Sequence, residues 1–416
     1  MSIRLAVAGG NRGARFDQIL DGLEEQVELV AVCDPSDDVR SEWTAERPQI
    51  KAYEKFEEMV EDPGIDAVFI ATPMLLHAGQ ALTALRAGKH VLSEVIAATT
   101  LDECYALVET VENTGLTYMM AENYCYRREA MMIKKMCDET VFGELTYAEG
   151  AYIHDCRDLM FNADLSRTWR GGAIGPNQHT QSSRGNGYPT HSLGPIAQWL
   201  GINRTDRMIR TTTFVTKSAA RQEWALAVLP EGHFDTDDVA WSNFADSSTT
   251  LIETEKGRVI CLRKDSASPR PHNMALHSLQ GTRGAYLSGR FDGEDPVVWL
   301  DGVSKGVSPA NFRYKNMARP ENYTDQEHPE WQPLWDLRNQ FEHDYWKQFG
   351  DEAIQAGHGG GDYFVIYDFV RAVSGEIDPP IDVYDAVTWS SIFPLSMDNV
   401  KQNGEPLEVP DFKNRV

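Results

Sequence analysis

The stretch Val7-Ala8-Gly9-Gly10-Asn11-Arg12-Gly13 constrains this chain more than any other. It follows the apolar run Ile3–Ala8 and precedes a helical pattern that continues to about Leu23. An unbroken apolar run is what a parallel strand covered on both faces requires. In the register G-x-G-x-x-G, Ala8 takes the place of the first glycine, while Gly10 and Gly13 take the second and third. Gly10 is then expected to let the backbone approach a pyrophosphate, and Gly13 to bring helix and strand close together. The helix N-terminus stabilises the phosphate charge. A second strand, Val27–Cys33, ends at Asp34. An acidic residue at that point accepts hydrogen bonds from the adenosine ribose hydroxyls and repels a 2′-phosphate. Pro35-Ser36-Asp37 offers no arginine to hold such a phosphate, so the expected cofactor is NAD rather than NADP.

The alternation continues beyond Asp34. Ile65–Ala71 reads as a buried strand, followed by Thr72-Pro73 and a helix through Leu85. His90–Ser93, a helix from about Leu101 to Asn113 capped by Thr99 or Thr100, and Thr117–Ala121 complete the pattern. Strand and helix in strict turn mean an open parallel sheet. Residues 1–125 are therefore read as an NAD-binding Rossmann domain. After Tyr126 the rhythm changes: a helix to Met136 leads into Leu145–Ile153, which alternates like a half-buried strand. Residues 155–190 form a Gly-, Asn-, Arg- and Ser-rich stretch too long for an ordinary connection. Strand-like runs then dominate: Thr211–Val215, Thr249–Thr254, Arg258–Arg263, Met274–Leu279 and Val297–Leu300. Helical patterns return at Tyr363–Val373 and Val383–Met397. Residues 126–416 are expected to form an α/β domain for substrate binding and oligomerisation. A large, open, mostly antiparallel sheet is its expected centre, and the C-terminal tail is placed back on the Rossmann domain.

With 63 acidic and 39 basic residues, the 416-residue chain carries a formal net charge of −24. Such a surface repels phosphate backbones and anionic lipid, which argues against nucleic acid and membrane partners. Six scattered cysteines without a C-x-x-C pair fit a reducing compartment, and no signal or membrane-spanning stretch is found, so a cytoplasmic location is expected. His358 beside three glycines invites a metal reading, but no second ligand lies at helical spacing. No metal is expected. The His358 segment is read instead as a turn leading into a helix near the pocket, with Asp362 as an acid of its first turn.

Thr72-Pro73 followed by His77, and Gly88-Lys89-His90-Val91 running into Glu94, resemble the Gfo/Idh/MocA oxidoreductases. That superfamily commonly has Glu-Lys-Pro after the fifth strand, where the lysine serves catalysis. Here the segment reads Glu94-Val95-Ile96, and Gly187 stands ahead of His191 without the common Asp. These departures match one branch. Met119-Met120-Ala121-Glu122-Asn123-Tyr124-Cys125-Tyr126, Ala148-Glu149-Gly150-Ala151-Tyr152-Ile153-His154-Asp155 and Tyr188-Pro189-Thr190-His191 resemble glycoside hydrolase family 109. Ser268-Pro269-Arg270-Pro271 and His358-Gly359-Gly360-Gly361-Asp362 do so too. These are the NAD-dependent α-N-acetylgalactosaminidases and their relatives, and the likeness runs from the first strand to Pro410.

The resemblance implies NAD contacts at Gly10, Asn11, Arg12, Gly13, Asp34, Thr72, Met74, His77, Glu94, Val95 and Asn123. It implies catalytic roles for His191, Tyr152 and Glu122, and substrate contacts at Arg170, Tyr188 and position 272. The family's S-P-R-P-Y ends here in His272, and the Trp169–Tyr188 loop is longer than usual, so both reshape the pocket. The implied chemistry oxidises C3 of a sugar, removes the acidified C2 proton, eliminates the C1 substituent, adds water and reduces the ketone again. His191 is the candidate base for the C3 hydroxyl. Tyr152 serves C2 if a neighbour such as Arg170 lowers its pKa, and Glu122 orients His191 or binds a hydroxyl. Two other readings stand beside this one: a stoichiometric NAD-dependent sugar or glycoside 3-dehydrogenase, and a catalytically silent NAD-binding protein. The partner in the first two is a small-molecule sugar or glycoside. The superfamily resemblance also implies a homodimer or homotetramer.

Overall fold

A computed structural model describes residues 2–414 except 17, 18, 20–22, 24, 169, 172, 176, 177, 180–183, 234–240, 242, 243, 272, 273 and 306–328. The first strand, β1 (Ile3–Ala8), is followed by β2 (Val27–Cys33), β3 (Lys51–Tyr53), β4 (Ala67–Ile70), β5 (His90–Ser93) and β6 (Tyr118–Met120). They form one parallel sheet in the order β3-β2-β1-β4-β5-β6. β1 pairs with β2 on one side and with β4 on the other, and the chain crosses from β3 over β1 to reach β4. This is the switch point at which an open sheet leaves a crevice beyond its strand ends. Ala8, Cys33 and Ile70 lie side by side there, so Gly9, Asp34 and Ala71 emerge together.

The chain after β1 is helical at Gly10–Gly13 and forms a 3-10 turn at Ala14–Phe16; most of the remaining stretch to Leu23 lies outside the described residues. The helix Leu101–Thr114 begins at Thr100 with a reciprocal capping box to Glu103, which satisfies two otherwise unpaired N–H groups. The edge strand β3 was not anticipated, because Lys51-Ala52-Tyr53 is short and half polar.

The second sheet begins with β7 (Leu145–Ile153), and a two-stranded ribbon of β8 (Ala173–Gly175) and β9 (Gln178–His179) stands apart from it. It continues with β10 (Met208–Val215), β11 (Ser247–Thr254), β12 (Val259–Asp265), β13 (Ala275–Gly281), β14 (Gly284–Leu287), β15 (Val297–Leu300), β16 (Gln332–Pro333) and β17 (Leu407–Glu408). The order is β16-β15-β14-β13-β7-β12-β11-β10-β17. Only β7 and β12 pair in parallel; the other neighbours are antiparallel. Alternation sorts the two faces. Ala148, Ile252, Ile260, Leu262 and Leu279 are buried, whereas Phe214, Leu251, Val259 and Leu287 are exposed on the opposite face.

The helix Thr190–Leu200 lies directly on the buried face. A Cβ on Gly150 of β7 would stand 2.2 Å from the Ser192 carbonyl oxygen, and one on Gly194 would stand 2.7 Å from Glu122 Cγ. Two glycines thus let this helix approach the second sheet and the end of β6 at once. A helix at Ala219–Val228 was not foreseen, and the expected single helix at Val383–Met397 is two, Val383–Ser390 and Ile392–Lys401. Val383–Ser390 rests on Leu101–Thr114 of the first domain, and the Phe412 ring lies 5.1 Å from that of Tyr105. Phe412 near the C-terminus thus lies against the helix Leu101–Thr114. No described helix is long and apolar enough to cross a membrane.

Candidate active site

At the crevice, Gly9 adopts φ +90°, and a Cβ there would lie 2.5 Å from the Ala71 carbonyl oxygen. The turn after β1 therefore needs glycine at position 9, which the G-x-G-x-x-G register passes over. Gly13 behaves as expected: a Cβ would stand 2.3 Å from Val7 Cγ1. Gly10 differs. Its missing side chain makes room for Val39 and Trp43 of the helix Asp37–Glu46, and Trp43 Nε1 donates to its carbonyl at 3.2 Å. Asp34 accepts from the Gly10 N–H and the Ser36 N–H, both at 2.9 Å, so its carboxylate also ties the turn together. Arg40, four positions past the Ser36 cap, curls back to donate to the Asp34 carbonyl and pairs with Asp37.

A cavity of about 710 Å³ opens over these ends. Asn11, Arg12, Asp34, Thr72, Met74, His77, Glu94 and Val95 line it, and so do Arg170 and Tyr188 from the substrate side. His77 spans two loops, its Nδ1 2.9 Å from the Ile96 carbonyl and its Nε2 2.7 Å from that of Thr72. Burial holds its pKa below the ordinary value. His77 thus clasps the loops after β4 and β5 as well as lining the cavity.

Arg12 crosses the crevice. Its Nε meets Glu94 Oε1 at 2.6 Å, and its Nη2 lies 3.7 Å from Asp362 Oδ1. Asp362 also accepts from Asn123 Nδ2 at 2.7 Å, and its other oxygen lies 3.0 Å from His358 Nδ1. Burial works to raise the Asp362 carboxyl, but the His358 hydrogen bond and the His358 and Arg12 charges outweigh it and hold it below the usual carboxylate range. Asn123 Oδ1 is buried without a partner. These residues fit a dinucleotide: a side-chain-free turn, a carboxylate at the end of β2, and an arginine between two carboxylates beside an orphaned amide oxygen.

Behind Tyr188 lies the second cluster. Glu122 is fully buried at the end of β6, and its Oε1 accepts from the Tyr124 N–H and stands 2.7 Å from His191 Nδ1. Its Oε2 has no partner. The His191 ring is 4.4 Å from Tyr124 and 5.1 Å from both Tyr152 and Tyr188. Tyr152 and Tyr188 stack at 5.3 Å, and Tyr188 donates to the Val95 carbonyl at 3.4 Å. Tyr188 is thus the wall between the crevice and the His191 cluster. Tyr152 departs from the expectation of a lowered pKa. Burial pushes its phenol well above the ordinary value, and the Arg170 charge opposes this without overcoming it. The Tyr152 hydroxyl lies 3.0 Å from His154 Nδ1. His272 lies outside the described residues. Among the described residues no three His, Cys, Asp or Glu side chains are grouped to hold a metal ion.

A family profile described as "Glycosyl hydrolase 109, C-terminal domain" matches residues 126–415, and "Oxidoreductase family, NAD-binding Rossmann fold" matches residues 3–122. The chain belongs to glycoside hydrolase family 109. Within family 109, it is 33% identical over 434 residues to a "Glycosyl hydrolase family 109 protein" of Stenotrophomonas maltophilia, covering 99% of this chain and 89% of that one. It is 32% identical over 391 residues to an "Alpha-N-acetylgalactosaminidase" of Tannerella forsythia, covering 88% and 75%. A solved structure of a levoglucosan dehydrogenase in complex with NADH and L-sorbose shares the fold, with a TM-score of 0.74, 16% identity, and 99% and 100% of the two chains covered. Residues 3–122 of this family 109 chain are thus an NAD-binding Rossmann domain, and the chain is an oxidoreductase-type enzyme.

Sequence reasoning missed Gly9, Tyr124, His154 and Lys264. Tyr124 and His154 sit inside the family 109 motifs, one and two positions from residues that were singled out, and were legible as neighbours. Lys264 had no such signal, since only strand pairing sets it beside Tyr152.

Proposed function

We propose that this chain cleaves a glycosidic bond by transient oxidation of a sugar at C3, elimination of the C1 substituent, addition of water and re-reduction. The observation that carries this reading is the His191–Glu122 pair set among Tyr124, Tyr152 and Tyr188, one ring's thickness from the crevice. NAD, when bound, supplies reversible hydride acceptance at a sugar carbon. Arg12, Asp34, Glu94 and Asn123 would hold it.

The remaining work falls to side chains. With Nδ1 held by Glu122, His191 presents Nε2 to the sugar and takes the C3 hydroxyl proton as the ketone forms. Glu122 stabilises the imidazolium that results. Removal of the C2 proton, made acidic by the ketone, breaks the C1–O bond as the ring carbons become unsaturated. Tyr152 performs this step while His154 Nδ1 accepts its phenolic proton. The aglycone leaves with a proton, water adds at C1, C2 regains a proton, and His191 returns its own to the C3 oxygen. The sugar, its anomeric form and the aglycone belong to this proposal; the α-N-acetylgalactosaminide named for the Tannerella forsythia relative is the first to try.

A second reading is favoured by one observation: burial keeps the Tyr152 phenol protonated. A plain 3-dehydrogenase leaves the C2–H bond intact and has no use for a phenolate. An assay on a panel of aryl glycosides in deuterated water, following aglycone and NADH absorbance together, separates the two. Aglycone released without net NADH, with deuterium at C2, is expected. NADH accumulating with an intact glycosidic bond overturns the glycosidase reading.

A further inference from the structure

Lys264 and Arg221 are buried cations that the chemistry above does not use. Lys264 of β12 is in register with Tyr152 of β7, so the two side chains leave the same face of the sheet on neighbouring strands. Lys264 Nζ donates to Ser266 Oγ at 2.7 Å, and Arg221 Nη2 donates to the same oxygen. Arg221 is 3% exposed; among the described residues its Nη1 reaches only the Met160 sulfur, at 3.6 Å, and its Nε has no partner. Neither cation has a carboxylate within ion-pair distance among the described residues.

The two nearest carboxylates are already committed. Asp265 accepts from the Ala267 and Ser268 N–H groups, the Ser268 hydroxyl and Arg263, while Asp246 accepts from the N–H groups of Ala219, Ala220 and Arg221. The Cys156 thiol lies beside both cations and 3.8 Å from Arg170 Nη1, and burial keeps it above its ordinary pKa and therefore neutral. Burial likewise lowers Lys264 to about 7 and lowers Arg221. Positive charge without a counter-charge is costly inside a protein, and an incoming anion removes that cost.

There is also room beside the amine. A Cβ on Gly187 would stand 3.7 Å from Lys264 Nζ and would meet no other described residue within 4 Å. Gly187 immediately precedes Tyr188, which lines the crevice beside Arg170.

We propose that Lys264, supported by Arg221, forms a subsite for an anionic substituent of the sugar, a carboxylate or a sulfate ester. The substrates of this chain are then acidic glycosides, taken with the anionic group toward β12. The assignment rests on the sugar-site reading above.

The test is calorimetric titration of the NAD-loaded protein with glucuronate, galacturonate, glucose 6-sulfate, inorganic sulfate and, as neutral control, glucose. The sugar acids or the sulfated sugar are expected to bind at least tenfold more tightly than glucose. Lys264→Met should abolish that margin while leaving NAD affinity unchanged, and Lys264→Arg should retain it. Gly187→Ala keeps both cations but fills the gap, and it should weaken anionic sugars more than glucose. Equal binding of acidic and neutral sugars, a margin that survives Lys264→Met, or binding of inorganic sulfate alone overturns the proposal. Aryl glycosides and glycosiduronates assayed in parallel keep the two readings apart. Neutral glycosides turned over without an anion margin leave the glycosidase reading standing and sink the subsite. A Lys264-dependent margin without aglycone release does the reverse.

Discussion

His191 Nδ1 stands 2.7 Å from Glu122 Oε1, and the second oxygen of that fully buried carboxylate has no partner. A buried carboxylate is costly unless it is hydrogen-bonded, so the pair is held together by the price of separating it. It directs the other imidazole nitrogen, Nε2, toward whatever occupies the space beside Tyr152 and Tyr188. Glu122→Gln keeps the size and removes the charge. Steady-state kinetics should show kcat lower by about 10²-fold with KM and NAD affinity nearly unchanged. An unaltered kcat means that Glu122 does not assist His191.

Asp362 gathers Arg12, Asn123 and His358 from three separate segments. Asp362→Asn should destabilise the protein by about 2–3 kcal/mol in denaturant unfolding and weaken NAD binding, because Arg12 loses one of its two carboxylates. The pH dependence has a definite sign. A carboxyl held below its unfolded value stabilises above the unfolded pKa and loses that contribution as pH falls through the lower folded value. The stability gap between wild type and variant should therefore narrow below about pH 4. A gap that stays constant down to pH 2 excludes the charged Asp362 as its source.

Lys264 destabilises where Asp362 stabilises, although both give a stability that rises with pH. Its folded pKa of about 7 lies below that of an unfolded lysine, so the unfolded chain binds the extra proton between the two values. Stability should rise with pH from about 7 to about 10 as the unfolded lysine loses its proton. Lys264→Met should be more stable than wild type at pH 7 by a few kcal/mol, and that advantage should vanish near pH 10. Urea unfolding at both pH values checks this. An advantage independent of pH shows that the folded amine keeps the ordinary lysine pKa.

Asp34 bears on the choice of cofactor. Asp34→Asn keeps the shape of the carboxylate and removes the charge that opposes a 2′-phosphate. Arg40 already lies against the Asp34 carbonyl. The preference for NAD over NADP should fall by about tenfold, roughly 1.4 kcal/mol, as read by fluorescence titration with the two reduced cofactors. An unchanged preference places the discrimination elsewhere in the crevice.

The parallel sheet was legible from local pattern. Ile3–Ala8, Val27–Cys33 and His90–Ser93 were each delimited by apolar runs and turn residues, and the helix from about Leu101 to Asn113 by a threonine cap. In the second domain, alternation announced Leu145–Ile153, and a short apolar run announced Val297–Leu300. Short or half-polar elements escaped: Lys51–Tyr53, Gly284–Leu287 and the helix Ala219–Val228 owe their form to the neighbours they pair with or lie upon. At the first turn, motif register pointed to Gly10, while the backbone conformation and the nearby Ala71 carbonyl require glycine at Gly9.

Local chemistry thus settled the identity of the residues, since hydrophobic period, capping and motif spacing act over a few positions along the chain. Tertiary structure alone decided which of them meet. Glu122 and His191 are brought together because glycines on two sides of one helix allow it to touch both sheets at once. Tyr152 looked available as a base in the sequence, yet its depth of burial, a property of the whole fold, raises its pKa instead. Lys264 stands one position past the expected strand Arg258–Arg263 and carried no signal of its own. Pairing with β7 turned its side chain inward beside Tyr152, where among the described residues no carboxylate answers its charge.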